Sequence, residues 1–376
     1  MSKKEFKLGK KSRKIGKAGK KHRKLRIVLI VISGILILGL IAVLIWKFAF
    51  KPEAEELTED NQSQVEPVRH FSPLTGIEIS DPELANRTVF AVIIGNSVEA
   101  RPQSGLKEAG VVFEAVSEGG ITRFIALYQE SEPELIGPVR SVRPYYLDWA
   151  AAFDPAVAHV GGSDEALAMV RSGSHGVSLD EFFHASTYWR AADRWAPHNT
   201  YTNFTRLTAL SEVLNKTTSN FEGWARQDGE IQDCECYNYE TVACECEMLI
   251  SRIDIAISVG AFAVSYSYDE STNTFLRSHG NVPHIDREKG QIAPNVVVAM
   301  RVNQSIAPGG LHNQIQTIGS GEVYIFQNGR VQRGRWQKDG ARSQLRFLDE
   351  DGEDIKLNRG QTWVTAVPQG MSVSWQ

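Results

Sequence analysis

Arginines interleaved with glycines and prolines are the residues of this 376-residue chain best suited to chemistry. They stand in Arg101-Pro102-Gln103-Ser104-Gly105, in Glu118-Gly119-Gly120 with Arg123 just behind, and in Gly137-Pro138-Val139-Arg140-Ser141-Val142-Arg143. Farther on lie Gly161-Gly162-Ser163-Asp164 and the run from Arg190 to Tyr201, which holds Arg194, His198 and Asn199. Glycine turns let an anion approach the backbone, and a guanidinium grips phosphate or carboxylate through paired N–H bonds. Arg101, Glu118, Arg123, Arg140, Arg143, Asp164, Arg194, His198 and Asn199 are therefore a candidate anion site. The competing reading pairs these arginines with Glu114, Glu118, Asp148 and Asp154 in structural salt bridges.

A second patch is His284-Ile285-Asp286, whose outer members share one face of an extended strand. They suit a His–Asp pair, a metal fragment or a structural turn, and Arg277 and Asn295 join them only through folding. His198 suits acid–base work or a satisfied loop position. Tyr188, Trp189, Trp195 and Tyr201 suit sugar stacking or a core edge. Nucleophile-elbow, Walker A, dinucleotide-fingerprint and H-E-x-x-H patterns are absent, so no catalytic residue is assigned and no cofactor is predicted.

The elements that must position these residues are strands at Val89–Asn96, Gly110–Val116 and Thr122–Tyr128, and helices at Tyr145–Ala152 and Asp164–Arg171. Ser163 reads as the N-cap of the second helix. From about Ile253 short β-rich runs take over, with Asn328-Gly329 a strong hairpin signal. The fold class predicted is α+β: a mixed α/β sheet domain over 71–216, a connection over 217–252, and a β-rich, antiparallel domain over 253–376.

Ahead of these lies a basic tail (1–26), an uncharged apolar stretch of 20 residues (27–46), and an acidic linker (47–70). The stretch matches a membrane span, and 13 Lys or Arg before it place the N-terminus in the cytoplasm, with everything after it extracytoplasmic. Residues 1–51 hold 15 bases and one acid, leaving 26 bases against 44 acids beyond them. That acidic remainder excludes nucleic acid as a partner of the folded part.

All four cysteines, Cys234, Cys236, Cys244 and Cys246, sit in the connection. Outside the membrane they read as two disulfides with three open pairings; a four-thiolate zinc site and free thiols are the alternatives.

ARPQSGL (100–106), EGGITRFIALY (118–128), IGPVRSVRPYYLDWA (136–150), APHNTYT (196–202), VPHIDREKG (282–290), NVVVAM (295–300) and GSGEVYIFQNGRVQRGRW with GQTWVTAVP resemble the YerB-like family. These are bacterial envelope proteins, often lipoproteins, built of two domains of unknown function. The resemblance covers roughly residues 70–372 and implies compartment and architecture, with no activity to carry over. The chain departs from lipoprotein members by having an apolar helix where they carry a lipidated cysteine. TRFIALY, GPVRSVR and VGGSDEAL also echo the order of Arg strand, Arg loop and Gly-Gly helix in LytR-CpsA-Psr glycopolymer transferases, without their Arg–Asp pairs. Two expectations follow. The first is an envelope binding or scaffold protein for an anionic cell-wall polymer, peptidoglycan or an envelope protein. The second is a transferase on phosphorylated lipid-linked precursors, with Arg123, Arg140 and Arg143 on a pyrophosphate and a divalent metal or base at Glu118 or Asp164.

Overall fold

A run of 21 residues, Ile27–Lys47, with mean hydropathy 3.3, is long and apolar enough to cross a membrane, and it lies inside one helix, α1 (Ala18–Ala49). The computed structural model describes residues 18–49, 68–230, 249–258, 260–310 and 312–376. The chain divides into two units, Met1–Val68 and Arg69–Gln376. The basic tail before residue 18, the linker over 50–67 and all four cysteines lie outside the described residues.

In the second unit the strands of the two larger sheets, in chain order, begin with β1 (Phe90–Gly95), β2 (Val111–Val116), β3 (Thr122–Tyr128), β4 (Ala156–His159) and β5 (Val177–Asp180). They continue as β6 (Arg252–Ile255), β7 (Val264–Asp269), β8 (Thr274–His279), β9 (Val282–Pro283) and β10 (Val296–Val302). The last are β11 (Gly319–Gln327), β12 (Arg330–Lys338), β13 (Arg346–Leu348), β14 (Thr362–Pro368) and β15 (Val373–Trp375). Three helices lie among them: α2 (Pro144–Ala150), α3 (Asp164–Arg171) and α4 (Phe204–Val213). The fold class is α+β.

Among the described residues ten strands make one sheet, in the order β13-β12-β11-β10-β14-β2-β3-β1-β4-β5. A second sheet has the order β9-β8-β7-β6-β15. The stretches 71–216 and 253–376, read from the sequence as separate domains, thus meet inside one sheet. The seam is the parallel pair β14–β2, in register Trp363 opposite Val112 and Thr365 opposite Glu114. The antiparallel expectation for the later stretch needs correcting at β14, which runs parallel to β10 as well as to β2. The reason is burial on both faces. VVVAM of β10 and WVTAV of β14 are continuous apolar or small-residue runs without exposed positions, the pattern of a strand covered on both sides.

Elsewhere local sequence and structure agree. Asn328 and Gly329 take φ of 54° and 64° between β11 and β12, the two left-handed residues of a type I′ hairpin turn. Ser163 caps α3 by accepting from the Ala166 N–H, and Asn203 caps α4 by accepting from Arg206. α2 opens with Pro144 at its first turn and buries Tyr145, Tyr146, Leu147 and Trp149 against one face of the large sheet. Phe113 of β2 stacks on Trp149 with centroids 5.6 Å apart. The other face of the sheet buries Val112, Phe124 and Trp363, and there the second sheet delivers Arg277.

Candidate functional site

β2 is buried at all six positions, yet its fourth residue is Glu114. A carboxylate without water must be paired and hydrogen-bonded on both oxygens. Its counter-ion is Arg277 of β8: Nη2 donates to Glu114 Oε2 at 2.6 Å, and both side chains are 0% exposed. The Trp363 indole N–H adds a bond to the same oxygen at 3.1 Å, and the guanidinium lies 4.5 Å from the Trp363 ring.

The remaining donors run in one direction around a closed ring. Arg277 Nη1 faces His284 Nδ1 and, at 2.7 Å, His279 Nε2. A guanidinium has no acceptor, so each of these ring nitrogens is a lone pair, and the proton of each neutral imidazole is on its other nitrogen. His284 Nε2–H then donates to Gln103 Oε1 at 3.0 Å, and Gln103 Nε2 donates to Asn96 Oδ1 at 2.9 Å. Asn96 Nδ2 donates to Thr122 Oγ1 at 2.6 Å, and the Thr122 hydroxyl donates to Glu114 Oε1 at 3.0 Å, closing the circuit. Burial, reinforced by Arg277, holds the pKa of His279 and of His284 well below the ordinary histidine value, consistent with two neutral rings.

Two side chains branch from this ring. Arg101 donates through Nε to Asn96 Oδ1 at 3.0 Å and through Nη1 to the Ala261 carbonyl at 2.8 Å. Its Nη2 is buried and has no hydrogen-bond partner among the described residues. Burial and the nearby Arg277 lower its pKa to about 10, so it remains a cation at neutral pH. His279 has its Nδ1 buried and equally without a partner among the described residues, and the tautomer fixed by Arg277 makes that atom an N–H donor.

Both side chains line a cleft of about 750 Å³ whose other walls are mostly apolar: Val98, Pro102, Ala261, Val282, Pro283 and Ile285. Arg101 and Pro102 also wall a second cleft of about 670 Å³, lined by Arg194, Trp195, His198, Asp193 and Arg287. Arg194 donates to the Pro102 carbonyl, His198 Nδ1 lies 3.1 Å from Ser97 Oγ, and Arg287 pairs with Asp193 at 2.6 Å. Burial lowers the His198 pKa, with Arg140 next in effect.

The residues singled out in the sequence therefore part into several places. Arg101, Arg194 and His198 meet at the second cleft, and Arg140 reaches its edge by donating to the Pro197 carbonyl at 2.9 Å. Arg123 and Arg143 both bind Glu118, which His312 also approaches at 3.2 Å, so a pyrophosphate there would have to displace a carboxylate. Asp164 is exposed at the start of α3, and the Asn199 side chain accepts from Arg190 at 3.3 Å. In the second patch Arg277 and His284 are bonded together. Asp286 instead accepts from the backbone N–H groups of Lys107, Glu288 and Lys289, and Asn295 accepts from the Gln361 N–H. The aromatic group divides by exposure: Tyr188 and Tyr201 are buried, Trp189 pairs opposite Tyr201, and Trp195 is 90% exposed. No group of three or more His, Cys, Asp or Glu suited to a metal ion occurs among the described residues.

Sequence reasoning passed over Glu114, except as a salt-bridge partner, and over Asn96, Thr122, His279 and Trp363. The signal was there in Val-Val-Phe-Glu-Ala-Val, where one acid interrupts a strand otherwise written for full burial.

Comparison with known proteins gives a consistent picture. Residues 74–219 match the family model described as "Protein of unknown function (DUF3048) N-terminal domain", and residues 253–364 match the corresponding "C-terminal domain". The chain is 30% identical over 301 residues to "Putative lipoprotein YerB" of Bacillus subtilis, covering 79% of this chain and 86% of that protein. It also superimposes on the crystal structure of YerB protein from Bacillus subtilis with a TM-score of 0.70 at 28% identity, over 81% of this chain and 99% of that one. With Glu114 and Thr122 supplied by the first matched segment and Arg277, His279 and His284 by the second, the chain belongs to the YerB-like family of paired DUF3048 N-terminal and C-terminal domains.

Proposed function

We propose that this protein is a membrane-anchored, extracytoplasmic binding protein of the cell envelope, with its ligand taken at Arg101. The observation that carries the reading is the pair of buried donors, Arg101 Nη2 and His279 Nδ1, which lack partners among the described residues and whose side chains line one cleft. A buried polar group left without a partner costs about 1–3 kcal/mol. A ligand with an anionic or otherwise accepting group recovers that cost on binding. The envelope assignment is supported by the apolar helix Ile27–Lys47, the basic residues that precede it, and the lipoprotein name of the relative. One helix of this kind near the N-terminus is taken here as an uncleaved anchor with a cytoplasmic N-terminus.

The experiment is a thermal-shift screen of the full chain in nanodiscs against phosphate, pyrophosphate, muropeptides and teichoic acid fragments, repeated with Arg101→Ala. Ligand at about 100 times its Kd stabilises by about 2.7 kcal/mol. A shift that disappears in Arg101→Ala supports the site. A screen without any shift, or one indifferent to Arg101, overturns it.

A further inference from the structure

The two clefts that meet at Arg101 differ in chemistry. The first offers Val98, Val282 and Ile285, all exposed apolar side chains at its rim, above the buried donors. The second is lined mostly by charged and polar residues and carries Trp195, the most outward aromatic of its loop. Isolated exposed apolar side chains are ordinary, but apolar residues gathered at one concave surface mark a binding site. An indole face held in solvent suits the apolar face of a sugar ring, while arginine and histidine beside it suit hydroxyls and phosphoryl oxygens.

Resting on the binding reading above, we propose that both clefts serve one ligand: an amphiphile with an apolar stem in the first cleft, a polar sugar-bearing head against Trp195 in the second, and an anionic junction at Arg101. The wall shared by the two clefts is Arg101 with Pro102, and Arg101 brings a positive charge and a donor unpartnered among the described residues, so the junction of the ligand is where the anion must be. Amphiphiles of this build reside in membranes, and the chain carries a helix able to cross one.

Three probes separate the parts, each used below its micelle-forming concentration on the full chain in nanodiscs, with empty nanodiscs as blank. Inorganic phosphate tests the junction, octyl phosphate adds the stem, and the glucosyl ester of octyl phosphate adds the head; octanoate and octyl glucoside report whether a carboxylate or a neutral junction suffices. Each buried methylene is worth about a fourfold gain in affinity, so octyl phosphate should bind at least about tenfold tighter than phosphate. Val282→Ser, which removes apolar surface at the rim without adding charge, should reduce that gain. Trp195→Ala should erase the further gain from glucose, and Arg101→Ala should weaken every anionic probe.

If phosphate binds through Arg101 but neither octyl chain nor glucose improves it, the amphiphile proposal falls and the anion site stands. Octyl glucoside binding as tightly as octyl phosphate overturns the anionic junction. Octanoate matching octyl phosphate supports the anionic junction and shows that it does not distinguish carboxylate from phosphate. If no probe binds and Arg101→Ala changes nothing, the binding site itself falls.

Discussion

Glu114 and Arg277, 163 positions apart, form an ion pair of 2.6 Å with neither side chain exposed. One comes from the large sheet and the other from the second sheet, so the pair ties the two halves of the sequence together.

Removing one partner should be far more damaging than removing both. Glu114→Ala leaves a buried guanidinium without its carboxylate, at a cost of about 3–5 kcal/mol. A double change to Glu114→Leu and Arg277→Met should recover much of that loss. Urea denaturation of the three proteins checks the order, and a double variant as unstable as the single would show that the pair is not the origin of the effect.

Stability should fall in mild acid. His279 and His284 have depressed pKa values in the fold, so below the ordinary value of 6.5 the unfolded chain takes up protons that the fold refuses. Each ring then contributes a loss of up to about 1.4 kcal/mol per pH unit as pH decreases, and nothing above that range. His159, buried with a lowered pKa, acts in the same direction. Comparing denaturation at about pH 7.5 and about pH 5.5, His284→Gln should show the smaller loss; an equal loss would place the proton uptake elsewhere.

Arginines near one another in sequence should differ in consequence. Among the described residues the Arg140 side chain makes one hydrogen bond, to the Pro197 carbonyl, so Arg140→Ala should cost about 0.5–1.5 kcal/mol. Arg143 binds both Glu118 and the Val142 carbonyl while buried, and Arg143→Ala should cost more. Melting temperatures of the two variants in one buffer decide it, and the reverse order would remove Glu118 from its structural role.

Gly334 is required by its neighbour. A Cβ there would lie 2.3 Å from the Leu348 carbonyl oxygen in the adjacent strand, so Gly334→Ala should cost about 1–3 kcal/mol. Gly340, where the nearest atom is the Ser343 hydroxyl at 3.5 Å, is the control and should stay within about 0.5 kcal/mol of the parent. Equal effects in a thermal melt would contradict the packing at β12.

Local features were legible because they depend on neighbours in sequence. The strand at Thr122–Tyr128, the helix at Asp164–Arg171 with its Ser163 cap, and the Asn328-Gly329 turn each follow from residues a few positions apart. The motifs around Arg101, Arg194 and His198 were also visible, and they do share a cleft. Asp286 takes the structural-turn reading open to it and Asn295 stays apart from the patch, because a polar side chain at a strand end serves a turn as readily as a ligand, and only the backbone donors it meets distinguish the two.

The sequence by itself determined the apolar helix, the acidic remainder, the α+β character and the family, since composition, periodicity and motif order are properties of the chain alone. Tertiary structure decided that β14 joins β2 in one sheet, that Glu114 faces Arg277, and that Arg101 and His279, whose side chains line one cleft, keep buried donors without a partner among the described residues. Those facts depend on which strands pair across more than a hundred residues. No local propensity encodes that choice; it is made by burying both faces of the central strands at once and by the need of each charge buried there to find its partner.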